Sequence, residues 1–187
     1  MKKLIAIALI LACSFTAFGQ RKTYGVKSGI LKTVSTTGEQ KSYCTQWWDD
    51  YGNKDKATTE TDMGEFGKYT ATILMVGEDM WVINMDGKAQ KATARPGLNW
   101  TNLTDEDYKQ FKIEDKGTEE YKGKTCHVYT YEQKQLLTKV KITVWIWEGL
   151  TLKQLIKKKT SETVTELIEL NVGAKIPAGT FTVPAED

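Results

Sequence analysis

The amino-acid sequence predicts a mainly β (α+β) protein with one large antiparallel sheet and a short capped helix. Apolar and polar residues alternate along several segments, which is the pattern of a strand with one face on a core. Turn-forming pairs such as Asp86-Gly87 divide the chain at intervals of roughly 8 to 12 residues, as expected for successive hairpins. This spacing predicts about ten or eleven strands, and a sheet of that width must curl or close.

The alternation is clearest in residues 139–148, and residues 162–172 repeat it. In the first stretch one face carries Val140, Ile142, Val144 and Ile146. A further stretch before the Asp86-Gly87 turn places Trp81, Ile83 and Met85 on one face. These apolar faces are either ordinary core or the lining of a ligand pocket, and the pattern alone allows both.

One segment reads as a helix. Thr104 is a good N-cap, Asp107 stands where the capping box needs an acceptor, and three acids fill the first turn. A helix of about two turns is unstable alone in water, so Tyr108 and Phe111 are expected to dock onto the sheet. The preceding loop, residues 94–102, adds Leu98 and Trp100 to the same lid.

The first 19 residues read as an export signal, with Lys2 and Lys3 before an apolar run and small residues at its end. Cleavage there leaves Gln20 as the first residue. A second interpretation makes Cys13 an acylated N-terminus. The apolar run is shorter than the roughly 20 residues that a transmembrane helix needs. Residues 20–187 are then a single domain, at the periplasm or the outer membrane.

Charge and composition exclude several functions. The 26 basic residues include Lys2 and Lys3, so the exported chain carries 24 basic and 24 acidic residues, without the basic excess of a nucleic-acid binder. His127 is the single histidine, which excludes a multi-histidine metal site and disfavours histidine-based catalysis. We expect no enzyme activity and no cofactor.

Export also bears on the cysteines, because the periplasm is oxidising. Cys44 and Cys126 are the two that remain after cleavage. They are either joined in a disulfide, which would close a long loop and stabilise the fold by roughly 4 kcal/mol, or two small buried residues that never meet.

Four strings of residues carry a family resemblance. Asp49-Asp50-Tyr51-Gly52-Asn53-Lys54 follows Trp47 and Trp48, and the others are Gly123-Lys124-Thr125-Cys126-His127-Val128-Tyr129, Val144-Trp145-Ile146-Trp147-Glu148-Gly149, and Ile176-Pro177-Ala178-Gly179-Thr180-Phe181-Thr182-Val183-Pro184. In this order, from about Tyr24 to Pro184, they resemble small exported proteins of Bacteroidetes-type bacteria. These belong to the superfamily of the periplasmic lipoprotein carrier LolA and its outer-membrane receptor LolB.

The resemblance implies a strongly curved half-barrel of about eleven antiparallel strands, with short lid helices on the concave face and an apolar cavity between them. It implies a hydrophobic ligand, lipid or acyl chain, and a carrier function without catalysis. The expected lining is Trp81, Ile83, Met85, Leu98, Trp100, Tyr108, Phe111, Ile142, Val144 and Ile146. The alternative is an interaction or sensor module for other envelope proteins, with the same fold and a filled cavity.

Overall fold

The structure is a computed structural model that describes residues 22–93, 97–135 and 138–184. The predicted export signal, Cys13 and residues 94–96 of the predicted loop lie outside the described residues. Among the described residues there is no helix long and apolar enough to cross a membrane.

Eleven antiparallel strands form one open sheet, which fits a curved half-barrel and confirms the predicted fold class. The strands are β1 (Gly29–Thr37), β2 (Gln40–Asp49), β3 (Lys54–Asp62), β4 (Lys68–Val76), β5 (Asp79–Ile83), β6 (Ala89–Ala92), β7 (Glu114–Tyr121), β8 (Lys124–Gln135), β9 (Thr138–Trp147), β10 (Leu150–Lys157) and β11 (Glu162–Val172). The described residues contain a single α-helix, α1 (Asp105–Phe111), and two three-residue 3-10 turns.

The order of strands explains why one segment of the chain lies across a face of the sheet. The order is β6-β5-β4-β3-β2-β1-β11-β10-β9-β8-β7, so β1 pairs with β11 in the middle and the two chain halves build outward to opposite edges. Residues 93–113 connect β6 at one edge to β7 at the other. A connection between the two edges of an open sheet has to pass over one face, and this one carries α1. We call residues 97–113 the cover, and the face beneath it the helix face.

The N-terminal segment, residues 22–28, is built into the fold. The backbone N–H groups of Thr23 and Tyr24 donate to the carbonyl oxygen of Tyr51 at 2.9 and 3.1 Å. Gly149 lies below this segment with φ of 78°, and a Cβ atom there would stand 2.4 Å from the Thr23 carbonyl oxygen. Only glycine fits that position, so the β9–β10 turn and the N-terminal segment are matched to each other.

The apolar core has three clusters. The first joins the N-terminal segment to the middle of the sheet through Tyr24, Trp48, Leu31 and Leu152. The second lies between the cover and strands β8 to β10. The third lies on β4 to β6 and is covered by the C-terminal residues Phe181 and Val183.

Cys44 and Cys126 are both buried thiols, on β2 and β8, and the structure does not join them. Strands β1, β11, β10 and β9 lie between their two strands in the sheet, whereas a disulfide needs Cα atoms within about 7 Å. The structure therefore agrees with the second interpretation of the sequence, in which Cys44 and Cys126 are separate buried residues.

Candidate functional site

Seven of the ten residues expected to line a pocket come together beneath the cover. These seven side chains are buried or half-buried and pack in one hydrophobic cluster. They are Leu98, Trp100, Tyr108, Phe111, Ile142, Val144 and Ile146. The other members are Leu103, Ile113, Tyr129, Tyr131, Val140 and Ile156. The cluster is the candidate hydrophobic site, and we call it the cover cluster.

The strand contribution to this cluster follows from the alternation. Val140, Ile142, Val144 and Ile146 are between 0 and 4% exposed. Tyr131 and Ile156 are the direct partners of Ile142 on the neighbouring strands, so they extend the same apolar surface sideways. Tyr129 and Tyr131 were not among the expected lining residues, although they alternate along β8 in the same way.

Trp81 and Ile83 lie on the opposite face. Residues that pair directly across a sheet share a face. Successive direct partners from β9 to β4 therefore place Tyr69 on the same face as Val144. These partners are Val144, Gln154, Thr165, Ser35, Ser42, Thr61 and Tyr69. Leu74 follows Tyr69 by an odd number of residues on β4, so it points to the other side. Trp81 pairs with Leu74 and packs with Ile83, Ala89 and Phe181. We call this side the tail face.

Met85 joins none of the clusters. It follows the end of β5 in the turn region and is 62% exposed. Alternation predicts one common face for Trp81, Ile83 and Met85. Trp81 and Ile83 do share a face, which lies opposite the cover, whereas Met85 lies beyond the strand.

The helix of the cover begins with a complete capping box. The Thr104 hydroxyl accepts from the Asp107 backbone N–H at 3.2 Å, and the Asp107 carboxylate accepts from the Thr104 N–H at 2.9 Å. At the other end Lys112 takes φ of 51° and closes the helix. None of the seven helical residues is fully buried, so packing holds α1 through half-buried side chains alone.

Trp100 is the central side chain of the cover. Its ring stacks on Tyr129 with centroids 5.3 Å apart and meets Tyr131 edge-on at 5.6 Å. Its indole Nε1 is buried and has no hydrogen-bond partner among the described residues. Such a donor costs free energy in the closed state, and water would satisfy it if the cover lifted.

The cover cluster leaves no open space of ligand size in the described structure. Leu98, Trp100 and Ile113 fill the area above β8 to β10, each at 6 to 8% exposure. None of the residues of the cluster lines the cavity next to Gln154 or the surface pocket around Pro177 and Phe181. The cavity expected between sheet and lid is therefore occupied by the chain's own side chains.

A small cavity does lie on the same face, beside the cluster and beneath the N-terminal segment. Its volume is about 40 Å³, and its polar lining comes from Thr33, Gln46, Thr151, Gln154 and Thr165. Sequence reasoning missed this site. The signal was Gln154, which stands where the series Leu150, Leu152, Ile156 predicts another apolar residue.

A buried carboxyl group stands behind this cavity. Asp55 Oδ2 accepts from the Tyr24 hydroxyl at 2.5 Å and from Gln46 Nε2 at 2.7 Å, while Oδ1 has no partner among the described residues. Burial raises the pKa of Asp55 to about 7, and the hydrogen bonds from Tyr24 and Gln46 oppose that rise only in part. The described residues contain no cluster of three or more side chains suited to a metal ion.

No protein-family model and no curated protein matches this chain. Similar solved structures include LprF from Mycobacterium bovis, with TM-score 0.42 and 13% identity over 83% of this chain and 90% of that one. A domain named for outer membrane lipoprotein sorting, from Vibrio parahaemolyticus, has TM-score 0.40 and 11% identity over 83% and 89%. The lipoprotein LppX of Mycobacterium tuberculosis has TM-score 0.40 and 10% identity over 79% and 89%.

Proposed function

We propose that this protein binds an acyl chain or a similar hydrophobic ligand on the helix face and carries it in the cell envelope, without catalysis. The observation that carries the proposal is the cover cluster, a continuous apolar surface on β8 to β10 closed by a separate segment whose helix has no fully buried side chain. Ligand binding requires the cover to move, because its own side chains fill the space.

The energies of this exchange favour a long ligand. Lifting Leu98, Trp100 and Ile113 gives up roughly 2 kcal/mol of burial for each side chain. An acyl chain recovers about 0.8 kcal/mol for each methylene that it buries, so about eight methylenes offset the loss. Hydration of the Trp100 indole N–H lowers the cost of opening further. Affinity should therefore rise with chain length.

Binding of an environment-sensitive acyl probe tests the proposal. Wild-type protein should bind the probe, and Tyr129→Asp should abolish binding because it places a charge on the strand surface that remains when the cover lifts. Trp100→Ala, which removes the ring without adding charge, should keep it. Met85→Asp is the matched control, since Met85 is exposed and outside the cover cluster.

The filled cluster also favours a second candidate, an interaction or sensor module for other envelope proteins in which the cover stays closed. Wild-type protein would then bind no probe, and native mass spectra of the exported protein would show no co-purified lipid. Melting temperatures of the variants keep loss of binding separate from loss of folding.

Location in the envelope rests on the predicted export signal. The intact mass of the protein after expression in a Gram-negative host distinguishes the two predicted forms: a chain that begins at Gln20, or one acylated at Cys13. A mass that retains residues 1–19 would contradict export.

A further inference from the structure

The small cavity on the helix face has the features of a built polar site. It is bounded by two strands from each half of the sheet, with Thr33 and Gln46 on one side and Gln154 and Thr165 on the other. Its volume of about 40 Å³ has room for roughly three water-sized groups, at about 10 to 15 Å³ each. A hydroxyl or hydroxymethyl group fits, whereas a whole phospholipid head group does not.

Gln154 supplies an unused hydrogen-bonding atom in this cavity. The residue is 3% exposed, and its Oε1 is buried without a partner among the described residues. Its amide hydrogen-bonds to the Tyr131 hydroxyl. Because Oε1 is unpartnered, the Nε2 atom makes that bond and Oε1 remains for another molecule. A buried acceptor of this kind costs free energy unless something donates to it.

The same residue connects the cavity to the apolar site. Tyr131 belongs to the cover cluster, and Gln154 pairs directly with Val144 of that cluster. The polar cavity and the apolar surface therefore adjoin on one face of the sheet. A molecule with a polar end and a long apolar chain has this distribution of chemistry.

The electrostatics of the cavity select the kind of polar end. Among its described lining residues there is no lysine, arginine or histidine. Tyr24 and Gln46, which do line it, both hydrogen-bond to the buried carboxyl of Asp55. An anionic head would lose its hydration and find no cation in return. A hydroxyl can donate to Gln154 Oε1 and accept from neighbouring threonines.

We propose that this cavity is the head-group subsite of the ligand, and that it takes a neutral hydroxyl-bearing head rather than a carboxylate or a phosphate. The inference rests on the proposed function, because the chain of the same ligand lies in the cover cluster. It adds a ligand class, neutral amphiphiles such as long-chain alcohols, to a site otherwise selective for chain length alone.

Competition against the bound acyl probe tests the subsite with three molecules of equal chain length: dodecan-1-ol, dodecanoate and dodecane. The alcohol should displace the probe at a concentration about tenfold or more below that of either other molecule. Gln154→Leu should abolish the preference for the alcohol over the alkane. Thr33→Leu, which fills the cavity without touching the amide, should do the same. Gln133→Leu, at an exposed position on β8, is the control.

Each outcome separates the two proposals. Equal displacement by all three molecules, unchanged in Gln154→Leu, overturns the head-group subsite and leaves chain binding intact. Stronger displacement by dodecanoate also overturns it. If the wild-type protein binds neither the probe nor any of the three molecules, both proposals fall. Melting temperatures establish that each variant is folded.

Discussion

Asp55 shows how one residue can make stability depend on pH. Its carboxyl group is 2% exposed and lies between Tyr24 and Gln46. Removing a carboxylate from water disfavours its charged form, and two hydrogen bonds do not restore what hydration supplied. The result is a pKa of about 7 against an ordinary value of 3.8. The folded protein therefore holds a proton over a range in which the unfolded chain has released it.

Stability should fall as pH rises from about 4 to about 7. Between these values the folded state binds more protons than the unfolded state, so the free energy of unfolding decreases with pH. The total change from this group is about 4 kcal/mol. Urea unfolding at several pH values should show the slope in wild-type protein and not in Asp55→Asn. Glu65→Gln, at an exposed position, should keep it; a flat wild-type profile would contradict the prediction.

The two thiols should behave as separate buried groups. Cys126 is fully buried, and burial, with Glu120 and Glu119 nearby, raises its pKa to about 11. A protonated, inaccessible thiol reacts slowly, so alkylation at pH 8 should modify Cys126 only after denaturant is added. A reducing agent should leave the melting temperature unchanged. A mass two hydrogens lower in the purified protein would instead show that the bridge forms.

At the scale of elements, local patterns predicted structure well where one strong rule acts. Period-two alternation located β9 and β11, and the Thr104–Asp107 pair located the start of α1. Alternation says which residues share a face of one strand, but not which face of the sheet that is. Trp81 shows the limit, because its side is set by the register of β4 and β5. Gln154 shows a second limit. Its hydrogen-bond partner Tyr131 lies on β8, two strands away in the sheet, so alternation along β10 does not predict this contact.

The capping box should control how readily the cover opens. Thr104→Ala removes the hydroxyl that accepts from Asp107, at a cost of about 1 kcal/mol to the helix. If the ligand binds only when the cover is displaced, a larger open population raises apparent affinity, here by up to about fivefold. Titration with the acyl probe measures this. Thr104→Ser, which keeps the hydroxyl, should match wild type; weaker binding in Thr104→Ala would mean that the closed helix is itself part of the bound state.

At the scale of the molecule, the strand order produces the cover whether or not a ligand exists. The two halves of the chain meet at β1 and β11 and end at opposite edges, and the cover lies across one face between them. The C-terminal residues cover the other face at β4 to β6. The curved sheet thus has two separately covered apolar surfaces. Alternation in the sequence predicts the apolar residues of both surfaces, but only the long-range pairing of strands shows that the two surfaces lie on opposite faces.

This separation predicts that the tail face contributes to stability and not to ligand binding. Phe181→Ala uncovers part of Trp81 and Leu74 and should cost about 1 to 3 kcal/mol of unfolding free energy, with unchanged affinity for the acyl probe. Phe66→Ala, at a side chain 85% exposed, should change neither quantity. Denaturant unfolding and probe titration on the same samples measure both. Reduced affinity in Phe181→Ala or Trp81→Ala, with the protein still folded, would instead extend the binding site through the sheet to its second face.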